Sequence, residues 1–134
     1  MSTPFGPRLI GEAEKTLNAL LDRFLDDTAL SEPQWVTLRV ADALDGTVDA
    51  AGLAAAVADQ AHFVDAADLV AELTSRGLLA DGHLTAAGRE LISTVQARIT
   101  TGTAPIFNGL AADDVEAATR VLNELITRAR TMLG

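Results

Sequence analysis

Along the first part of the chain apolar residues recur every three or four positions. Ile10, Ala13, Leu17, Leu20, Leu21, Phe24 and Leu25 form one stripe, which predicts a long amphipathic helix over residues 8–27. Ser31-Glu32-Pro33-Gln34 then has the form of a capping box, with a serine N-cap, proline in the first turn and glutamine reaching back. It predicts a second helix to about Leu44, with Trp35, Leu38 and Ala41 turned inward. Asp45-Gly46 breaks the pattern, and Asp49 is the expected cap of a short alanine-rich helix, Ala50 to Asp59, that buries Leu53 and Val57. After residues 60–64, Asp65 is the expected cap of a further helix, Ala66 to Arg76, with Leu69, Val70 and Leu73 inside and Gly77 as a left-handed stop.

The spacing then shortens. Leu78-Leu79 and His83-Leu84 read as two strand stubs joined at Asp81-Gly82, a strong tight-turn signal. Thr85 caps a long helix carrying Leu91, Ile92, Val95 and Ile99, expected to weaken or kink at Gly102 and Pro105, with Ile106, Phe107 and Leu110 continuing its apolar surface. Asp113 and Asp114 suit the first turn of a last helix and Arg128 and Arg130 its final turn, matching the helix dipole at both ends. Its stripe of Val115, Ala118, Leu122, Leu125, Ala129 and Met132 is widened by Val121, Ile126 and Leu133 beyond what one partner helix covers. The expected fold class is therefore mainly α with a rudimentary two-stranded hairpin, without internal repeats.

A chain of 134 residues, 49% of them hydrophobic, fits one domain able to bury its own core, with Met1 to Pro7 as a loose arm. Charges interrupt every apolar run, and no basic stretch leads into a hydrophobic segment, so a membrane span and a signal peptide are not expected. The absence of cysteine removes disulfides and thiolate metal sites, and a soluble cytoplasmic protein is the expectation. Charge changes the picture more. The formal net charge is −9, and residues 47–90 hold seven acids (Asp49, Asp59, Asp65, Asp68, Glu72, Asp81, Glu90) against Arg76 and Arg89, a local balance of −5. Such a surface repels phosphates instead of neutralising them.

His62 and His83 are the only histidines, and neither stands in a metal-binding pattern, so no metal and no cofactor are expected. Phosphate-loop, serine-hydrolase and cysteine-nucleophile signatures are absent. His62, close in sequence to Asp59 and Asp65, is the one acid-base candidate, against an ordinary solvated loop histidine. Trp35, the only tryptophan, stands in the first turns of the second helix, Phe24 near the end of the first, and Arg39 one turn beyond Trp35; core packing of Trp35 and a solvated Arg39 are the plain reading of these residues.

The order of elements, together with Leu73-x-x-x-Gly77-Leu78, Leu84-Thr85-x-x-Gly88 and Gly109-Leu110 ahead of Asp113-Asp114, resembles the MarR family of bacterial winged-helix transcription regulators over nearly the whole chain. The resemblance implies a single domain of residues 1–134, with residues 8–30 and 100–134 as dimerisation helices and 31–99 as a winged-helix lobe with its connecting helix. It also implies a homodimer on palindromic DNA and a small lipophilic or aromatic ligand among Phe24, Trp35, Arg39 and Val95. At the start of the recognition helix, where the family carries small polar and basic residues, stand Asp65, Ala66, Ala67 and Asp68. In place of a long wing with its arginine there are only Ala80, Asp81, Gly82 and His83. The expectation is a homodimeric, ligand-binding, MarR-like regulator whose conventional DNA reading is weakened or lost. The alternative is a protein of that fold without DNA binding, serving as a small-molecule biosynthetic enzyme or a protein-partner module.

Overall fold

A computed structural model describes residues 2–134 as six helices and one two-stranded antiparallel sheet. The elements are α1 (Pro7–Leu25), α2 (Glu32–Leu44), α3 (Ala50–Ala61), α4 (Ala66–Ser75), β1 (Leu79–Ala80), β2 (His83–Leu84), α5 (Ala86–Phe107) and α6 (Ala112–Leu133). Met1, the first residue of the expected arm, lies outside the described residues; the arm ends one residue early because Pro7 opens α1, where its missing N–H costs nothing. None of the described helices is long and apolar enough to cross a membrane. The chain divides into two units, residues up to 100 and residues 101–134.

In the first unit, local chemistry sets the boundaries. The Ser31 hydroxyl accepts the Gln34 N–H at 3.3 Å while the Gln34 side chain accepts the Ser31 N–H at 2.9 Å, the reciprocal capping box that starts α2. Asp49 accepts the Gly52 N–H at 2.9 Å and starts α3. Asp65 occupies the cap position of α4 without a side-chain cap bond: its backbone (φ −105°, ψ 27°) is outside the extended region from which a carboxylate reaches back over the first turn. At the other end, the Leu78 N–H bonds the Leu73 carbonyl and the Gly77 N–H bonds the Thr74 carbonyl, with Gly77 at φ +76°: a Schellman motif. That use of the Leu78 N–H explains why β1 begins at Leu79, one residue later than the pattern suggests.

The hairpin pairs Leu79 with Leu84 and Ala80 with His83. Its two turn residues, Asp81 (φ +52°) and Gly82 (φ +80°), are both left-handed, as the two-residue turn that matches strand twist requires. Thr85 fastens the hairpin to α5. Its hydroxyl donates to the Gly77 carbonyl at 2.7 Å and accepts the Gly88 N–H at 3.1 Å, while its N–H bonds the Leu78 carbonyl. Gly88 is obligatory here, since a Cβ would stand 2.3 Å from the Leu78 carbonyl oxygen. Leu38, Leu53, Val57, Leu73, Leu79 and Val95 form the fully buried centre, gathered from α2, α3, α4, β1 and α5. Removing each such side chain from water stabilises the fold by about 1.5–3 kcal/mol.

The second unit holds α6. Pro105 lies inside α5 without ending it, because only the final turn loses a hydrogen bond before the helix stops at Phe107. Asp113 and Asp114 occupy the first turn of α6 and Arg130 the last, and ion pairs Glu116–Arg120 and Glu124–Arg128 support it at i,i+4 spacing. None of its 22 residues is buried.

Candidate functional site

Trp35, on the first turns of α2, is 4% exposed and belongs to the same apolar cluster as Val95 of α5. The Arg39 guanidinium, one turn further along α2, lies 5.7 Å from the Trp35 ring centroid, within range of a cation–π contact. Its Nη1 donates to Gln96 Oε1 at 2.6 Å, so α5 fixes the guanidinium beside the indole. Phe24 is half-buried near the end of α1, and its carbonyl accepts from Arg98 Nη1 at 3.4 Å. Arg98 also grips Asp27 through both guanidinium arms. That hydrogen bond, reinforced by the opposite charge, holds the Asp27 carboxyl below its ordinary range. Of the four expected ligand-binding residues, Trp35 and Arg39 stand together on α2 with Arg39 tied to α5, Trp35 and Val95 are both buried in the core, and Phe24 lies beside the Arg98–Asp27 tie. Gln96 and Arg98 were missed by sequence reasoning, because partners 57 and 71 residues apart leave no local signature.

At the start of α4, Asp65, Ala67 and Asp68 are exposed and Ala66 is buried. Further along, Glu72 accepts from Gln34 Nε2 at 2.7 Å and so belongs to the α2–α4 packing. Val64, immediately before this helix, is fully exposed. The hairpin turn of Ala80, Asp81, Gly82 and His83 is held against α3: a Cβ on Gly82 would stand 2.4 Å from the Asp49 carbonyl carbon. The arginines nearby serve the fold. Arg76 donates to the carbonyls of Ala29 and Thr28 at 3.0 and 3.1 Å, and Arg89 donates to the carbonyl of Leu84 at 3.1 Å.

His62 is exposed and ends α3 in a left-handed conformation, φ +59°. Among the described residues it has no hydrogen bond or ion pair to Asp59 or Asp65, and no group of three or more acidic or histidine side chains stands ready to hold a metal ion. Sequence reading also passed over a cleft of about 340 Å³ formed by the end of α2, the hairpin and the start of α5, with Asp42, Asp45, His83 and Arg89 on its walls. Its charged residues are scattered along the chain and meet only in the fold. No protein-family model matches this chain, and no curated protein matches it.

Proposed function

We propose that this chain is a MarR-like winged-helix protein that acts as a homodimer, binds a small lipophilic or aromatic ligand and has lost most conventional operator reading. The observation that carries the proposal is α6. A helix of 22 residues bears Val115, Leu122, Leu125 and Ile126 on its surface with no residue buried, and nothing within residues 101–134 covers that stripe. Contiguous apolar surface of this kind marks an association site, and a self-complementary face shared by two copies is the simplest closed arrangement. Leu17 on α1 is likewise exposed.

The weakened DNA reading rests on the lobe. Acids occupy the exposed start of α4, a short hairpin turn is tucked against α3, and Arg76 and Arg98 each commit both guanidinium arms to this chain's own groups. Phosphate contacts from lysine and arginine supply most non-specific affinity, so little remains to hold a duplex. The ligand reading rests on Arg39, whose guanidinium lies over the buried Trp35 ring and keeps donors beyond its bond to Gln96 for the carboxylate of an aromatic acid.

Two titrations test these parts separately. Duplexes from the regions flanking its own gene bind without saturation at low salt; saturable binding that weakens steeply with salt would establish operator reading instead. Benzoate raises the thermal midpoint of the wild-type chain but not that of Arg39→Gln; equal shifts in both would remove the ligand from this position.

A further inference from the structure

Asp42 and Asp45 on one wall of the 340 Å³ cleft and Arg89 on another share that space without forming an ion pair. Among the described residues, neither carboxylate accepts a hydrogen bond, and Arg89 spends a single N–H on the Leu84 carbonyl. A guanidinium has five N–H donors, so most of its fork remains for a ligand. The acidic wall is also the C-terminal end of α2, where the helix dipole is negative and no basic residue lies in the last turn.

The backbone that carries these walls is closely packed. The hairpin tip is wedged at Gly82 against Asp49, and α5 is wedged at Gly88 against the Leu78 carbonyl. His83 packs over Gly46, where a Cβ would come 3.7 Å from its Nδ1, which sets the imidazole as a polar side wall. A simple anion would meet the two carboxylates, and a polyamine would meet Arg89. A divalent cation lacks a third protein ligand. A small molecule carrying both charges satisfies both walls, and the volume is at the small end of ligand pockets.

We propose that this cleft binds a zwitterion of the amino-acid class, its ammonium group at Asp42 and Asp45 and its carboxylate at Arg89. The site is built wholly from the lobe, so it stands independently of the dimer and of the Trp35 ligand.

Amide-resolved NMR titration of the full chain with L-alanine, L-glutamate and L-lysine tests it, with butylamine and propionate as single-charge controls. Saturable shifts are expected at residues 42–46 and 83–89 for at least one amino acid. The single-charge controls bind about tenfold to a hundredfold more weakly, the loss that follows from one missing charged hydrogen bond. Arg89→Gln and the double change Asp42→Asn with Asp45→Asn each weaken binding by a similar factor. Asparagine tolerates the left-handed backbone at position 45 (φ +48°), and matching spectra of the free variants verify the fold. Asp68→Asn, outside the cleft, leaves binding unchanged. The proposal is overturned if none of the amino acids gives saturable shifts, if butylamine or propionate binds as well as they do, or if the cleft variants bind like wild type.

Discussion

In α4, Leu69, Val70 and Leu73 recur at helical spacing and all three are buried; in α6, Val115, Leu122, Leu125 and Ile126 follow the same kind of spacing and all four are exposed. Both helices have sound local chemistry. The first ends in a Schellman motif, and the second carries acids at its start, arginine at its end and two i,i+4 ion pairs. The difference is what covers the stripe. Periodicity fixes that a helix has an apolar face, but not whether the face is met within the chain or by a second molecule. Helices in water draw most of their stability from packing, so the exposed face of α6 is the one the proposed homodimer would cover, whereas the chain itself covers α4.

The sharpest break of this comparison is Gly88→Ala. An added Cβ would press on the Leu78 backbone carbonyl, which cannot move without opening the Schellman turn and the Thr85 cap. Overpacking of this sort costs about 1–3 kcal/mol and more where backbone must shift, so the loss should sit at or above that upper end in urea denaturation. Gly77→Ala, which meets no neighbouring atom, suffers only the strain of its positive φ and should cost less.

Leu73→Ala and the pair Leu122→Asn with Leu125→Asn probe the two faces directly. Leu73 is fully buried, and its truncation should cost about 2–5 kcal/mol at every protein concentration. The α6 pair should remove the concentration dependence of the wild-type thermal midpoint and leave the core of the first unit folded. Concentration-independent melting of the wild type, unchanged by the α6 pair, would place the two helices on the same footing.

Ser31→Ala removes one half of the capping box and should lower stability by about 1 kcal/mol, read by urea denaturation. That cap shows how much of the fold was legible in the sequence. Ser31 with Gln34, Asp49 with Gly52, the Asp81-Gly82 turn and the Gly77 stop all act within six residues of chain, so residue identity and spacing were enough to find them. Asp65 looked equally convincing, but its cap depends on a backbone angle set by how the turn from His62 to Asp65 packs, and the bond is absent. The same limit applied to the sites. Trp35 and Arg39 were visible as neighbours one helical turn apart, whereas Gln96, Arg98 and the walls of the 340 Å³ cleft are supplied by tertiary contacts.

The smallest effect concerns Glu32, in the first turn of α2. Partial burial raises its pKa above the ordinary 4.5, and Glu14 and Asp22 across on α1 push the same way. A raised folded-state value means that its contribution to stability is fully present below the unfolded value and is lost as pH rises through the folded one. Glu32→Gln should therefore stabilise the chain slightly near neutral pH and flatten its stability profile just above pH 4.5. Asp27 has the opposite sign. Its lowered value contributes stability above 3.8 that is lost as pH falls, so Asp27→Asn should weaken the α1–α5 tie at neutral pH and not in acid.

Sedimentation equilibrium on the full chain at micromolar concentration tests the role of α6 most directly. A homodimer gives a mass of about twice 14.0 kDa, returning to 14.0 kDa when Leu122 and Leu125 are both asparagine. A wild-type mass of 14.0 kDa across that range would contradict it, because the apolar stripe of α6 would then be stable in water without a second copy to cover it.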